Sequence, residues 1–153
     1  MESRFRGEFA RGRYADSDLL LLKPSTYMNL SGEAVQPLAA FYKLTPAEIL
    51  IVHDDLDLPP GTVRLKRGGG HGGHNGLRSL HQHLGPDYLR LRIGIGHPGH
   101  RDRVLGYVLG RPNADDETVI QAGIGDALSV LDTLLRQGWD KAAQQLHTAP
   151  PAN

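Results

Sequence analysis

The sequence predicts an α/β fold: a single domain with a mixed, mostly parallel sheet flanked by helices. Three observations lead there. Short apolar runs of strand length alternate with helix-length amphipathic segments, the pattern of sheets covered by helices. The length of 153 residues suits one compact domain with its own core. Cysteine is absent, so the fold rests on burial alone. That absence also excludes thiolate-ligated zinc, iron–sulfur clusters and a thiol nucleophile, and it suits a reducing cytoplasm.

Taken in order, "MESRFRGEFARGRY" alternates charges with single apolar residues and has no signal-peptide core. No run of ~18 apolar residues suited to a bilayer is evident, so no membrane partner is expected. "DLLLLKP", residues 18–24, reads as a buried strand stopped by Pro24. "NLSGEAVQPLAAFYKL" reads as a helix that Asn29 or Ser31 can cap, with Pro37 kinking it or marking a late start. Thr45-Pro46 signals a helix start, and Ile49–Val52 is an apolar strand that breaks into acids. "GTVRLKR" is a strand, "NGLRSLHQHLG" a short helix, "LRLRIGIGHPG" a further strand and "RVLGYVLGRP" a short helix. "DDETVIQAGIGDALSVLDTLLRQG" is a long amphipathic helix, with acids in its first turn and Arg136 in its last. "WDKAAQQLH" adds a final helical turn or two. The domain runs to residue 147, and "TAPPAN", 148–153, is a disordered tail.

Seventeen basic residues balance seventeen acidic ones. The distribution is uneven. Between Gly61 and Arg103 eight Arg or Lys face only Asp87 and Asp102, and six of the eight histidines lie there too. A basic centre on a neutral chain suits a phosphate or nucleic acid, although scattered arginines on a solvated surface would read the same way.

Three constellations carry candidate chemistry. Asn29, between a strand and a helix, is either a cap beside a buried Met28 or an amide gripping a carbonyl or water. His53 and Asp54 follow an apolar strand, and His97 follows another. Carboxyl ends of strands are where α/β sheets bind ligands. Asp54 there is suited to orient a histidine and to stabilise it once protonated, while Asp55 and Asp57 read as turn residues. The glycine-rich stretch after Lys66 lacks both the NTP-loop ending and the dinucleotide pattern. A metal set of His71, His74 and Asp54 would need pre-set geometry. Flexible glycines supply none, and no helix holds the pair on one face, so no metal or other cofactor is expected. Glycine instead lets a bulky ligand approach the backbone. Asn75 then caps a helix whose amide end faces an anion, and Lys66 adds charge.

"KPSTYMNLSG", "ILIVHDDLDLPPGTVRLKRGGGHGGHNGL", "LRLRIGIGHPG" and "VLGYVLGRP" together resemble the bacterial peptidyl-tRNA hydrolase family, from about Phe5 to His147. The resemblance implies a monomeric, cytoplasmic, metal-free enzyme. Its substrate is peptidyl-tRNA, and it cleaves the ester between the peptide and the tRNA 3′ end. It implies that Asn29 positions the carbonyl and the attacking water above an apolar floor that includes Met28. Asp54 corresponds to the carboxylate behind the catalytic histidine. His74 and Asn75 correspond to cleft residues at the 3′ end, and Lys66 and Arg92 to a clamp on the 5′-phosphate. It also implies an N-terminally truncated chain. The family's first strand, its Gly-Asn-Pro-Gly turn and the Arg-His-Asn segment with the catalytic histidine have no counterpart here. The first histidine of this sequence is His53. A non-catalytic tRNA-binding remnant is therefore the alternative.

Overall fold

The computed structural model describes residues 2–99 and 112–148, with the backbone alone at Asn29, His147 and Thr148. The expected helix over 103–112 and the tail beyond Thr148 lie outside the described residues. The chain forms two compact units, one of residues 1–51 with 67–89, the other of 52–66 with 90 to the C-terminus.

The first unit opens with an antiparallel sheet, β1 (Glu2–Arg4), β2 (Gly7–Tyr14) and β3 (Ser17–Pro24), in that order. Two-residue turns join the strands, and such turns allow only antiparallel pairing. Their central residues Phe5, Arg6, Ala15 and Asp16 all have positive φ, between 52° and 64°, the backbone of a tight hairpin turn. None is the glycine or asparagine that usually marks such a turn, which is why the charge-alternating start gave no strand signal. Ring contacts hold the Phe5 turn. Phe5 lies 5.3 Å from Phe9 and 5.9 Å from Phe41, and the Arg4 guanidinium sits 4.6 Å over the Phe5 ring. Strand β3 is less buried than its leucines suggest, with Leu21 about half exposed.

A 3₁₀ turn, Met28–Leu30, leads into α1 (Ser31–Phe41). Ser31, expected as a possible cap, is instead the first helical residue. The Ncap residue is Leu30, and the Ser31 hydroxyl donates to the Met28 carbonyl at 2.7 Å. Pro37 lies on the exposed face, where water can satisfy the Glu33 carbonyl that proline leaves without a donor. The other face buries Ala34, Val35, Leu38 and Ala39, spaced as an apolar helical stripe. It packs with Ile49 and with Leu77 and Leu80 of α2 (Asn75–Leu84), around a fully buried Tyr88. The two helices approach at Gly32. A Cβ there would meet the Ser79 carbonyl oxygen at 2.5 Å and the His83 ring, and the Gly32 amide donates to the buried Ser79 hydroxyl at 2.9 Å.

A second sheet, mostly in the second unit, contains β4 (Leu50–Asp55), β5 (Val63–Arg67) and β6 (Leu89–Gly94) in the order β4-β6-β5. The bonds Leu89 N–H to Ile49 C=O and Ile95 N–H to Asp55 C=O advance along β4 and β6 together, so that pair is parallel. The bonds Gly94 N–H to Thr62 C=O and Gly68 N–H to Tyr88 C=O run in opposite senses, so β5 and β6 are antiparallel. The expectation of a mostly parallel sheet is therefore corrected. One sheet is antiparallel, because its short hairpins can join only antiparallel strands, and the other is mixed, with β6 returning antiparallel to β5 after α2. Val63 and Leu91 are buried from this sheet.

Helix α3 (Ala114–Gln137) has Asn113 as its cap, the side-chain oxygen accepting the Asp116 amide at 2.8 Å, and it ends at Gly138 with φ 90°. It packs on α4 (Trp139–Thr148), burying Ala127, Val130 and Ala142, with Gln145 bonded to Ser129 and Thr133. By length and composition α3 reaches the minimum for crossing a membrane, where the sequence reading expected no such run. It carries Asp126 and Asp132 within that length.

Gly32→Ala is expected to destabilise the protein by about 1–3 kcal/mol, because the added methyl overpacks the α1–α2 contact. Ser79→Ala should cost a similar ~1–3 kcal/mol by leaving the buried Gly32 amide without its acceptor. Urea midpoints of the two variants against the wild type measure both.

Candidate functional site

In the first unit the glycine-rich stretch ends in α2. Gly72 and Gly73 have φ of 57° and 80°, a conformation that costs glycine least. The loop is tied to itself through imidazoles. His71 Nδ1 accepts the Gly73 amide at 3.0 Å, and the His71 carbonyl accepts the His74 amide at 2.9 Å. His74 then caps α2, its Nδ1 accepting the Leu77 amide at 3.1 Å. The cap expected at Asn75 is thus one residue earlier. The imidazole reaches the third amide of the helix, which places Asn75 at the first helical position.

That shift brings Asn75 to a cavity of about 460 Å³ lined also by Met28, Arg78, Ser79 and Gln82. The α2 residues 75, 78, 79 and 82 follow helical spacing along one face, a signal present in the sequence but not used. Met28 is about half exposed here, so the expectation of a buried Met28 is corrected. Its thioether forms part of a cavity wall because the 3₁₀ turn carries it outward. Asn29 lies in the same turn, at backbone level.

In the second unit β4 runs further than expected, through His53, Asp54 and Asp55. His53 Nδ1 lies 2.8 Å from the Asp54 carbonyl oxygen. Asp55, read as a turn residue, ends the strand and binds Arg92. Its Oδ2 accepts Arg92 Nε at 2.7 Å and its Oδ1 accepts the Asp57 amide at 2.8 Å. Burial pushes the Asp55 carboxyl up. The Arg92 hydrogen bond, the Asp57 amide and the charges of Arg92 and His53 outweigh it and hold the group below the ordinary 3.8.

The β5–β6 register aligns Thr62 with Gly94 and Gly68 with Tyr88. Arg64 therefore stands opposite Arg92, and Lys66 opposite Arg90, with all four on one face of the ribbon. Arg64 and Lys66 are exposed and Arg90 is buried. Like charges set opposite one another are unfavourable without a counterion, and Asp55 supplies one to Arg92. The expected pair Lys66 and Arg92 is brought onto one face. Asp54 is not, because strand alternation turns it away from Asp55 and Arg92. Arg64 and Arg90 were counted in the basic window but not singled out. Their alternation with Val63, Leu65, Leu89 and Leu91 was the available signal.

The family model described as peptidyl-tRNA hydrolase matches residues 1–153. A relative named peptidyl-tRNA hydrolase from Halorhodospira halophila is 54% identical over 147 residues, covering 95% of this chain and 76% of the relative. One of the same name from Edwardsiella ictaluri is 53% identical over 148 residues, with the same two coverages. The crystal structure of peptidyl-tRNA hydrolase from Acinetobacter baumannii superposes with a TM-score of 0.94 at 46% identity, covering 99% of this chain and 78% of that one.

Two outcomes are expected from this geometry. His74→Ala should cost about 0.5–2 kcal/mol by removing the α2 cap, while His74→Asn, itself a capping residue, should restore most of it. Thermal unfolding of the two variants measures this. Asp55 has a lowered carboxyl, so its contribution to stability is complete above the ordinary carboxylate range and is lost as pH falls through it. The difference in urea midpoint between wild type and Asp55→Asn should shrink on acidification, and a difference constant with pH would contradict the assignment.

Proposed function

The chain belongs to the peptidyl-tRNA hydrolase family, and from that premise we propose that it hydrolyses the ester between a peptide and the 3′ end of tRNA, as a cytoplasmic monomer. The observation that carries this reading is the cavity in which Met28 offers an apolar wall and Asn75 an amide beside the histidine-capped end of α2. In the reaction, water oxygen adds to the ester carbonyl carbon. The carbon–oxygen bond to the ribose then breaks, the ribose oxygen takes up a proton, and the peptide leaves as its carboxylate.

Within this reading Asn29 and Asn75 position the carbonyl and the water, each amide offering a donor and an acceptor. Asp54 is the carboxylate that orients the family's histidine base and stabilises it once charged. His74 and Met28 hold the 3′ end. Lys66 and Arg92 grip the 5′-phosphate, the ammonium as a point charge and the guanidinium as a planar fork. Recognition of the acceptor stem rests on phosphate and shape, so affinity falls steeply with salt.

A second reading is tRNA binding without turnover. It draws on Lys66 and Arg92, which the β5–β6 register brings onto one face, and it needs no base. The two are separated by a single-turnover assay with labelled peptidyl-tRNA alongside a binding assay with deacylated tRNA. The hydrolase reading expects Asp54→Asn to slow cleavage by roughly 10²–10⁴-fold, the range of a positioned base, with tRNA binding unchanged. It expects Lys66→Ala and Arg92→Ala to weaken binding. Wild-type cleavage no faster than that of Asp54→Asn, with binding still dependent on Lys66 and Arg92, would select the second reading.

A further inference from the structure

We infer that Asp55 is a positioning residue for phosphate recognition, holding Arg92 by Nε so that the two Nη groups remain for the tRNA 5′-phosphate. The inference rests on the reading above, in which Lys66 and Arg92 clamp that phosphate. It assigns a role to a residue whose sequence context marked only a turn.

Both carboxylate oxygens are committed. Oδ1 is fixed to the chain's own backbone by the Asp57 amide at 2.8 Å, and Oδ2 receives Arg92 Nε at 2.7 Å. The anchor is thus tied to the end of β4 before it ties the arginine. The Arg92 and Asp55 side chains are 24% and 13% exposed, so water competes weakly for the bond. A guanidinium bonded only through Nε keeps its Nη1–Nη2 edge, which matches two phosphate oxygens. An arginine already held in one place loses less side-chain freedom when it takes the ligand. Arg64, directly opposite Arg92 in the β5–β6 register, would push an unheld guanidinium aside.

The inference makes a prediction opposite in sign to simple electrostatics. Deleting a carboxylate beside an anion site should, by Coulomb's law alone, strengthen anion binding. If Asp55 positions Arg92, deleting it weakens recognition of one phosphate and leaves the rest of the RNA contact unchanged.

The test uses the full 153-residue chain and an acceptor-stem RNA hairpin carrying either a 5′-phosphate or a 5′-hydroxyl. The readout is the ratio of the two dissociation constants, which requires no turnover. Wild type should prefer the phosphate, and Arg92→Ala should lose the preference. Asp55→Ala and Asp55→Asn should each cut it by about tenfold, the scale of one charge-assisted hydrogen bond, with 5′-hydroxyl binding nearly unchanged. Asparagine keeps the shape but has one oxygen for two donors, so it decides the matter if the alanine variant does not fold. An equal loss on both RNAs, or an undiminished preference in the Asp55 variants while Arg92→Ala loses it, overturns the positioning role alone. A wild type with no preference overturns the clamp and this inference together.

Discussion

The contact between α1 and α2 at Gly32 is the constraint on which the first unit depends. Only a residue without a side chain lets the helices close until the Gly32 amide reaches the Ser79 hydroxyl. That closeness lets Val35 and Ala39 share a core with Leu77, Leu80 and Tyr88, so burial and the polar contact reinforce each other. Everything that α2 presents follows from where this packing holds it. The same helix that buries Leu77 and Leu80 lines a cavity with Asn75, Arg78 and Gln82 on another face. The site is thus the solvent side of a packed helix, which is stiffer than a site built on the glycine loop alone.

The second unit is governed by charge. The chain as a whole is neutral, yet the β5–β6 ribbon sets four cations on one face. A protein selected only for stability has little reason to align Arg64 with Arg92 and Lys66 with Arg90. Asp55 offsets part of that repulsion, and its lowered carboxyl reports how strongly Arg92 and the Asp57 amide favour the ionised form. In the proposed reading the 5′-phosphate meets this two-strand face, whose register holds Lys66 and Arg92 in fixed relative positions.

The long helix α3 was legible in the sequence because its signals agree. Asn113 caps it, Asp115–Glu117 fill its first turn, Arg136 lies in its last and Gly138 stops it. Strands β4, β5 and β6 were legible as apolar or alternating runs, but strand direction was not, since hydrophobic pattern carries no information about pairing sense. The hairpins of β1–β3 were hidden because their turns use Phe5, Arg6, Ala15 and Asp16 rather than glycine or asparagine, and distant ring contacts stabilise the first of them. Asn75 in the first unit, and Lys66 and Arg92 in the second, were legible as motif residues. The cap at His74 was not, because histidine has no strong capping preference. The Asp55–Arg92 pair joins residues far apart in sequence, which no local pattern reports.

The histidines of the glycine stretch are constrained by the tautomer their contacts require. A backbone amide can only donate, so an imidazole nitrogen that receives it must be unprotonated. His71 and His74 each accept an amide at Nδ1, and so does His97 in the second unit. In the neutral ring the proton then lies on Nε2, which is a donor. A donor at that position can hold a carbonyl, a phosphate oxygen or a water, but it cannot take a proton from an attacking water without first giving up its own. To act as a base through Nδ1, His74 would have to release the Leu77 amide and with it the cap of the helix that carries Asn75. Through Nδ1 the loop's imidazoles therefore fold the chain. Proton abstraction needs a ring whose acceptor nitrogen faces the water and whose N–H faces a carboxylate.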